Sequence, residues 1–234
     1  IRVTGAGVAH VNRRPLLLLP GDMLANRFPD PVLQQVEDFG NGTTSASDAF
    51  RPVSRYFDRI TRPEQIFPAF QQAMRVLTDP ADCGPATLSL CQDVQAEAFD
   101  YPVSFFEERI HRIRRPAPDP REAEEAVALI KQSRRPLVIA GGGVLYSGVE
   151  KELAEFCAEK GIPVGESQGG KSSLPTLHPF NMGGIGVSGT AAANEMAEDA
   201  DLVIAVGTRL QDFTTGSWGL FKNPNMKILA LNVQ

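Results

Sequence analysis

Three consecutive glycines, Gly141 to Gly143, follow the apolar run "LVIA" (Leu137 to Ala140), and a helical pattern begins a few residues later. Glycine after a strand lets backbone amides approach a phosphate, so a nucleotide site is the chemistry this spacing suggests. The dinucleotide fingerprint is G-x-G-x-x-G, whose third glycine lets helix and strand pack closely. Gly141 and Gly143 supply the first two positions, but Tyr146 holds the third, and its bulk opposes that packing. Glu166 stands just after the next strand, where a ribose-binding acid would be. Further glycines fall near the ends of other apolar runs: Gly169-Gly170-Lys171, Gly183 to Gly189, and Gly207-Thr208-Arg209. Converging loops would make a vestigial nucleotide site of Gly141, Gly142, Gly186, Gly189, Gly207 and Arg209, with Arg209 or Lys171 neutralising the anion. The same glycines would equally serve tight chain crossings with no ligand. At the level of residues both readings stand.

No other constellation competes. His10, His111 and His178 are scattered, and Cys83, Cys91 and Cys157 show no metal-ligand spacing. Neither a metal centre nor a Ser-His-Asp triad is expected, and the cysteines read as reduced thiols of a cytoplasmic protein. Net charge is −5. The densest basic segment, Arg109 to Arg115, adjoins prolines and reads as a solvated tether, so no nucleic-acid partner is expected. The longest apolar run near the N-terminus, Leu16 to Leu19, is far below the roughly 20 residues of a membrane span. No signal peptide is visible, and no membrane partner is expected.

The elements that must position these glycines can be read from periodicity. "RPAPDP" (Arg115 to Pro120) carries three prolines in six residues and predicts a stiff linker between 1–114 and 121–234. In the first part, Val3 to Val11 ends a helix, and "PLLLLPG" (Pro15 to Gly21) predicts a strand buried on both faces. Asp30-Pro31 predicts a short helix. Thr61 to Glu64 predicts a capping box for a helix with Ile66, Phe67, Phe70, Ala73, Met74 and Leu77 on one face. Ala86 to Cys91 predicts a strand. In the second part, a helix capped by Asp119 precedes a strand at Pro136 to Ala140, and Ser147 to Glu150 predicts a second capped helix ending at Gly161. A strand at Ile162 to Val164, a glycine-rich loop from Gln168 to Gly189, a helix at Ala191 to Ala200 and a strand at Leu202 to Val206 complete the pattern. "PLVIAGG" and "DLVIAVG" are near-copies, each a buried strand entering a glycine turn. The fold class is α/β: parallel doubly wound sheets, with a Rossmann-like second domain and part of another α/β domain before it. The chain starts at Ile1 and stops after the strand-like "KILALNVQ", which reads as a piece of a longer protein.

The stretch from Gly169 to Trp218 resembles the central domain of thiamine-diphosphate enzymes of the acetolactate synthase type. The resemblance rests on Gly170-Lys171, His178-Pro179, Gly186 to Thr190 with Ala192-Ala193-Asn194, and Asp201-Leu202 with Gly207, Arg209 and Asp212. "SDAFRPVSRYFDRITRPEQIFPAFQQAM" and "GPATLSLCQDV" are similar to the rear of the family's pyrimidine-binding domain. "RPLLLLPGDMLANRFPDPVLQQVEDFG" and "QDVQAEAFDYPVSFF" resemble members that hydrolyse a carbon–carbon bond of a cyclic 1,2-diketone in inositol breakdown. The alternatives are a 2-oxo-acid decarboxylase, a carboligase or oxidase, or, in another class, a stand-alone NAD- or FAD-holding module. The resemblance implies thiamine diphosphate with Mg²⁺, held mostly by segments outside this chain: an activating glutamate ahead of Ile1 and a G-D-G…N segment past Gln234. It therefore implies no catalytic residue here, and inactivity of the piece alone. Gly21-Asp22 aligns with a loop lining the thiamine pocket, as a cofactor contact. Flavin-binding relatives have Met-His where this chain has Val187-Ser188, so neither FAD nor ADP is expected. A homodimer or homotetramer is implied for the whole enzyme.

Overall fold

The computed structural model describes residues 2–28 and 30–233. The chain divides into two compact units, Ile1–Arg115 and Pro116–Gln234.

In the first unit, helix α1 (Arg2–Val11) leads to strands β1 (Leu16–Leu18) and β2 (Gly21–Asp22). A long loop and a 3-10 helix (Ala46–Val53) precede β3 (Tyr56–Ile60), α2 (Ile66–Leu77) and β4 (Pro85–Cys91). The sheet is wholly parallel and centred on β4. β1 and β2 share one register against it, Leu16 opposite Pro85 and Gly21 opposite Leu90, and β3 takes the other side. Ala69 and Ala73 of α2 pack on Ile60, Ala86, Leu88 and Cys91, because their small side chains let the helix lie close to the sheet.

Three expectations are corrected here. The leucine run is not covered on both faces: Leu17 and Leu19 are 36% and 56% exposed. Alternate strand residues face opposite sides, and this line covers only one of them. No helix forms after Asp30. Gln35 organises turns instead, its Oε1 accepting from the Val32 N–H (2.9 Å) and its Nε2 donating to the Gly42 carbonyl (2.8 Å); such side-chain bonds compete with helical ones. Thr61 and Glu64 do not form the cap of α2. Gln65 reaches back, its Oε1 accepting from the N–H groups of Thr61 (2.7 Å) and Arg62 (3.1 Å), while Glu64 pairs with Arg62 at 3.2 Å.

The second unit runs α3 (Pro120–Gln132), β5 (Pro136–Ala140), α4 (Gly142–Ser147), α5 (Glu150–Lys160), β6 (Val164–Glu166), β7 (Asn181–Gly184), α6 (Ala191–Asp199), β8 (Leu202–Val206), α7 (Asp212–Thr215) and β9 (Lys227–Leu231). Its five parallel strands lie in the order β7-β6-β5-β8-β9. This is doubly wound topology with its switch point between β5 and β8. Alternation along β5 serves both faces: Val138 and Ala140 pack with Leu153 and Cys157 of α5, Leu137 and Ile139 with Ala193 and Ala197 of α6. Val138 and Ile139 are fully buried, a burial contributing roughly 1.5–3 kcal/mol for each side chain. Asp119 caps α3, accepting from the Arg121 N–H at 2.8 Å.

Ser147 is not a cap. It is the last residue of α4, which starts at the glycines and closes on left-handed Gly148 (φ 64°); α5 then begins without a side-chain cap. A residue with helical backbone lacks the extended geometry an N-cap needs. β6 starts two residues later than expected, and the glycine-rich loop conceals β7, whose Gly183-Gly184 has low strand propensity.

Candidate functional site

Ligands of open α/β sheets bind beyond the carboxyl ends of the strands, so a site is expected along those edges. In the first unit, Asp22 ends β2 with its side chain wholly buried. Its Oδ2 accepts from Arg59 Nε (2.7 Å) and Ser89 Oγ (2.6 Å), and its Oδ1 from the Met23 N–H (2.8 Å). Arg59, on β3, spends the rest of its guanidinium on the loop before it. Nη1 donates to the Thr43 carbonyl (3.1 Å), and Nη2 to Ser45 Oγ (2.9 Å) and Asp48 Oδ2 (2.8 Å). Asp48 in turn holds Arg51 Nε at 2.6 Å, and the Arg51 guanidinium lies 4.1 Å above the Phe57 ring.

Four charges thus alternate from the sheet outward. Burial alone would raise the Asp22 carboxyl, but hydrogen bonds from Ser45, Ser89, Arg59 and the Met23 amide outweigh it and hold the group below the usual carboxylate range. Asp48 is lowered in the same way, burial being overcome by the Ser45 amide, Arg51 and Arg59. Nearby Cys91 is pushed up to about 11 by burial first, then by Asp22 and Asp93. It stays a thiol near neutral pH and is no nucleophile.

Beside this network an open groove is walled by Asn26, Thr61, Arg62, Asp93 and Glu97. Asp93 braces one wall, Oδ1 accepting from the Ala25 N–H (2.8 Å) and Oδ2 from the Asn26 N–H (3.1 Å). Gly21 and Asp22 lie at the carboxyl edge of the sheet. The Asp22 carboxylate is spent inside the fold, and the Gly21 carbonyl accepts from Ser47 Oγ at 3.3 Å. Neither residue offers a free side-chain acceptor to thiamine. Among the described residues no three His, Cys, Asp or Glu side chains converge on a cation position. The residues present do not by themselves make a thiamine diphosphate–metal site. Asp48, Arg51 and Arg59 were not found in the sequence, because isolated charges spread over three segments leave no periodic signal.

In the second unit the structure brings Gly141, Gly142 and Gly207 together at the switch point. The Gly141 N–H donates to the Val206 carbonyl (2.8 Å) and the Gly143 N–H to the Gly207 carbonyl (3.0 Å). A Cβ on Gly141 would stand 2.3 Å from the Gly207 oxygen, and one on Gly170 would stand 2.1 Å from the Ala140 oxygen. Gly207 itself has φ +60° and meets the Gly143 backbone. Two amides a diphosphate would need are already donating, and Tyr146 lies across Gly142, its ring 3.0 Å from where a Cβ would be. Glu166 is buried, its Oε1 accepting from the Leu174 N–H at 3.0 Å. Gly186 and Gly189 form a separate crossing, Gly186 (φ +102°) against Phe213 and Gly189 against Gly184. Arg209 is exposed, with Nη2 donating to Gln211 Oε1 at 3.3 Å, and Lys171 is exposed as well. At the ends of β5 and β8 the Gly141–Gly143 and Gly207 backbones are thus in direct contact.

A parallel doubly wound unit of this topology has a family counterpart. Residues 123–234 match the family described as "Thiamine pyrophosphate enzyme, central domain", to which this part of the chain is similar. Its enzymes imply thiamine diphosphate as cofactor. Across both units the chain is similar to proteins named 3D-(3,5/4)-trihydroxycyclohexane-1,2-dione hydrolase. The protein of Clostridium perfringens (strain ATCC 13124) is 54% identical over 231 residues, 99% of this chain and 36% of that protein. Those of Bacillus cereus (strain AH820) and Clostridium botulinum (strain Alaska E43) are 52% and 51% identical over the same shares. The chain thus spans about a third of the length of these relatives. No helix among the described residues is long and apolar enough to cross a membrane.

Proposed function

We propose that this chain is part of a thiamine-diphosphate-dependent hydrolase that opens the ring of trihydroxycyclohexane-1,2-dione. The observation that carries the reading is the 54% identity running through 99% of the chain, including the first unit, which the central-domain family does not reach. Residues 1–114 are the rear of a pyrimidine-binding domain, 115–120 a linker and 121–234 a central domain. Mg²⁺ and the catalytic residues belong to other parts of the whole protein, which works in the cytoplasm as a homodimer or homotetramer on a small cyclic diketone.

This chain contributes scaffold. Gly21 and Asp22 end β2 at the carboxyl edge of the first sheet, with Asp22 acting through its bonds and not by contact. Gly141, Gly142, Gly186, Gly189 and Gly207 serve close backbone approach in a domain that carries no nucleotide. The test is an assay of the full-length protein with the cyclic diketone and with pyruvate, each with and without thiamine diphosphate and Mg²⁺. Cofactor-dependent hydrolysis of the diketone is expected. Turnover of pyruvate alone would replace the reading with that of a 2-oxo-acid enzyme.

A further inference from the structure

We propose that Arg59 is a positioning residue: through the chain Asp22–Arg59–Asp48–Arg51 it clamps the returning stem of the loop between β2 and β3, whose outgoing stem, held by Asp93, walls the groove. Its effect on substrate binding rests on the proposed function, with this groove adjoining the site of the whole enzyme. The loop, residues 23–45, is tied at both ends of its stem and by different carboxylates. At the outgoing end Asp93 accepts from the Ala25 and Asn26 amides, and Asn26 lines the groove. At the returning end Arg59 donates to the Thr43 carbonyl and Ser45 Oγ, and Ser45 caps the 3-10 helix that follows. Between the two ties the loop exposes Phe28, Leu33 and Phe39, which supply no core of their own. Its course is therefore set by the stem together with the turn bonds of Gln35. Exposure of the four charged side chains rises outward along the chain, 0% for Asp22, 14% for Arg59, 22% for Asp48 and 54% for Arg51. The clamp is thus anchored in the sheet and is most open to solvent at its last member.

Arginine is the residue this geometry requires. Its planar fork makes four bonds in different directions here, to Asp22, Thr43, Ser45 and Asp48. Lysine is a point charge on a flexible stem and would keep the ion pair with Asp22 while releasing the loop.

The full-length protein provides the test. In Arg59→Lys, amide hydrogen exchange in residues 43–53 should speed by about tenfold or more, with exchange in residues 136–206 unchanged. The KM for the diketone should rise about tenfold with a smaller change in kcat, the pattern of lost ground-state positioning. Asp48→Asn, which leaves the buried Asp22–Arg59 pair intact, should loosen the same amides by less. Parental exchange rates at 43–53 in both variants would overturn the proposal, as would a fall in kcat at constant KM. Should the parent protein not turn over the diketone, the proposed function falls. The exchange data and a calorimetric titration with thiamine diphosphate would still decide the clamp.

Discussion

Asp22 has no water to fall back on, so its stability contribution depends on its partners remaining charged and in place. Replacing Arg59 with Met leaves a buried, unpaired carboxylate, a change that costs about 3–5 kcal/mol in comparable buried pairs. Urea unfolding followed by circular dichroism should show the first unit giving way early in Arg59→Met. The pH dependence has a definite sign. The folded-state pKa of Asp22 lies below its ordinary value, and Asp48 behaves alike. Their contribution is therefore complete above about pH 4, the unfolded carboxylate range, and drains away as pH falls through the lowered folded values. Asp22→Asn should be less stable than the parent at pH 7 but lose stability less steeply below pH 4. Equal acid slopes for the two proteins would show that Asp22 does not carry the effect.

Among the elements, the turns at the ends of β5 and β8 separate two uses of glycine that look alike in sequence. Gly148 has φ +64° with open space around its Cβ position, whereas Gly207 has φ +60° and a Cβ there would stand 2.5 Å from Gly143 Cα. Gly148→Ala bears only left-handed strain, on the order of 1–2 kcal/mol. Gly207→Ala adds a backbone collision that side-chain movement cannot relieve, and should cost more than about 4 kcal/mol or abolish folding. Thermal melts of the two variants compare the cases directly. The same contact offers a test of the nucleotide reading: Tyr146→Gly would complete the sequence fingerprint, yet it frees neither the Gly141 nor the Gly143 amide. No binding of NAD or FAD is expected for that variant by calorimetry. Legibility followed the same division. β5 and β8 could be read to the residue because continuous runs of buried apolar residues report both faces of a parallel sheet. β3 could not, since Asp58 and Arg59 interrupt "YFDRI", and β7 could not, since its glycines are those of a loop. Convergence of Gly141 with Gly207 was open to topology, but the direction of their amides was not. The Asp22–Arg59 pair joins residues 37 apart in sequence, a separation over which no local pattern operates.

For the molecule as a whole, the division into two units turns on where side chains stop holding the chain. After β4, Tyr101 and Phe105 pack edge-on against Phe67 of α2, with Phe67 and Phe105 centroids 4.9 Å apart; Phe99 packs tilted on Phe67, and Phe106 lies edge-on to Tyr101 and Phe105. Beyond Phe106 residues 107–119 are all exposed and in no helix or strand until α3 begins at Pro120. An exposed segment without regular hydrogen bonding is where proteases cut first. Trypsin should therefore cleave after Arg109, Arg112 and Arg114, and spare Arg115, which precedes Pro116. Each product keeps a core of its own, Ile60 to Val94 in one and Val138 to Ile204 in the other. Mass spectrometry over a digestion time course should show two fragments of similar size accumulating, and circular dichroism should show helix retained in both. The rival site is Arg27 in the loop between β2 and β3, a long loop with an apolar tip but a stem tied by Asp93 and Arg59. Early cleavage at Arg27 would mean that those ties do not restrain the loop. Prior cleavage at the tether, with Arg27 cut early only in Arg59→Lys, would place the restraint in the guanidinium fork.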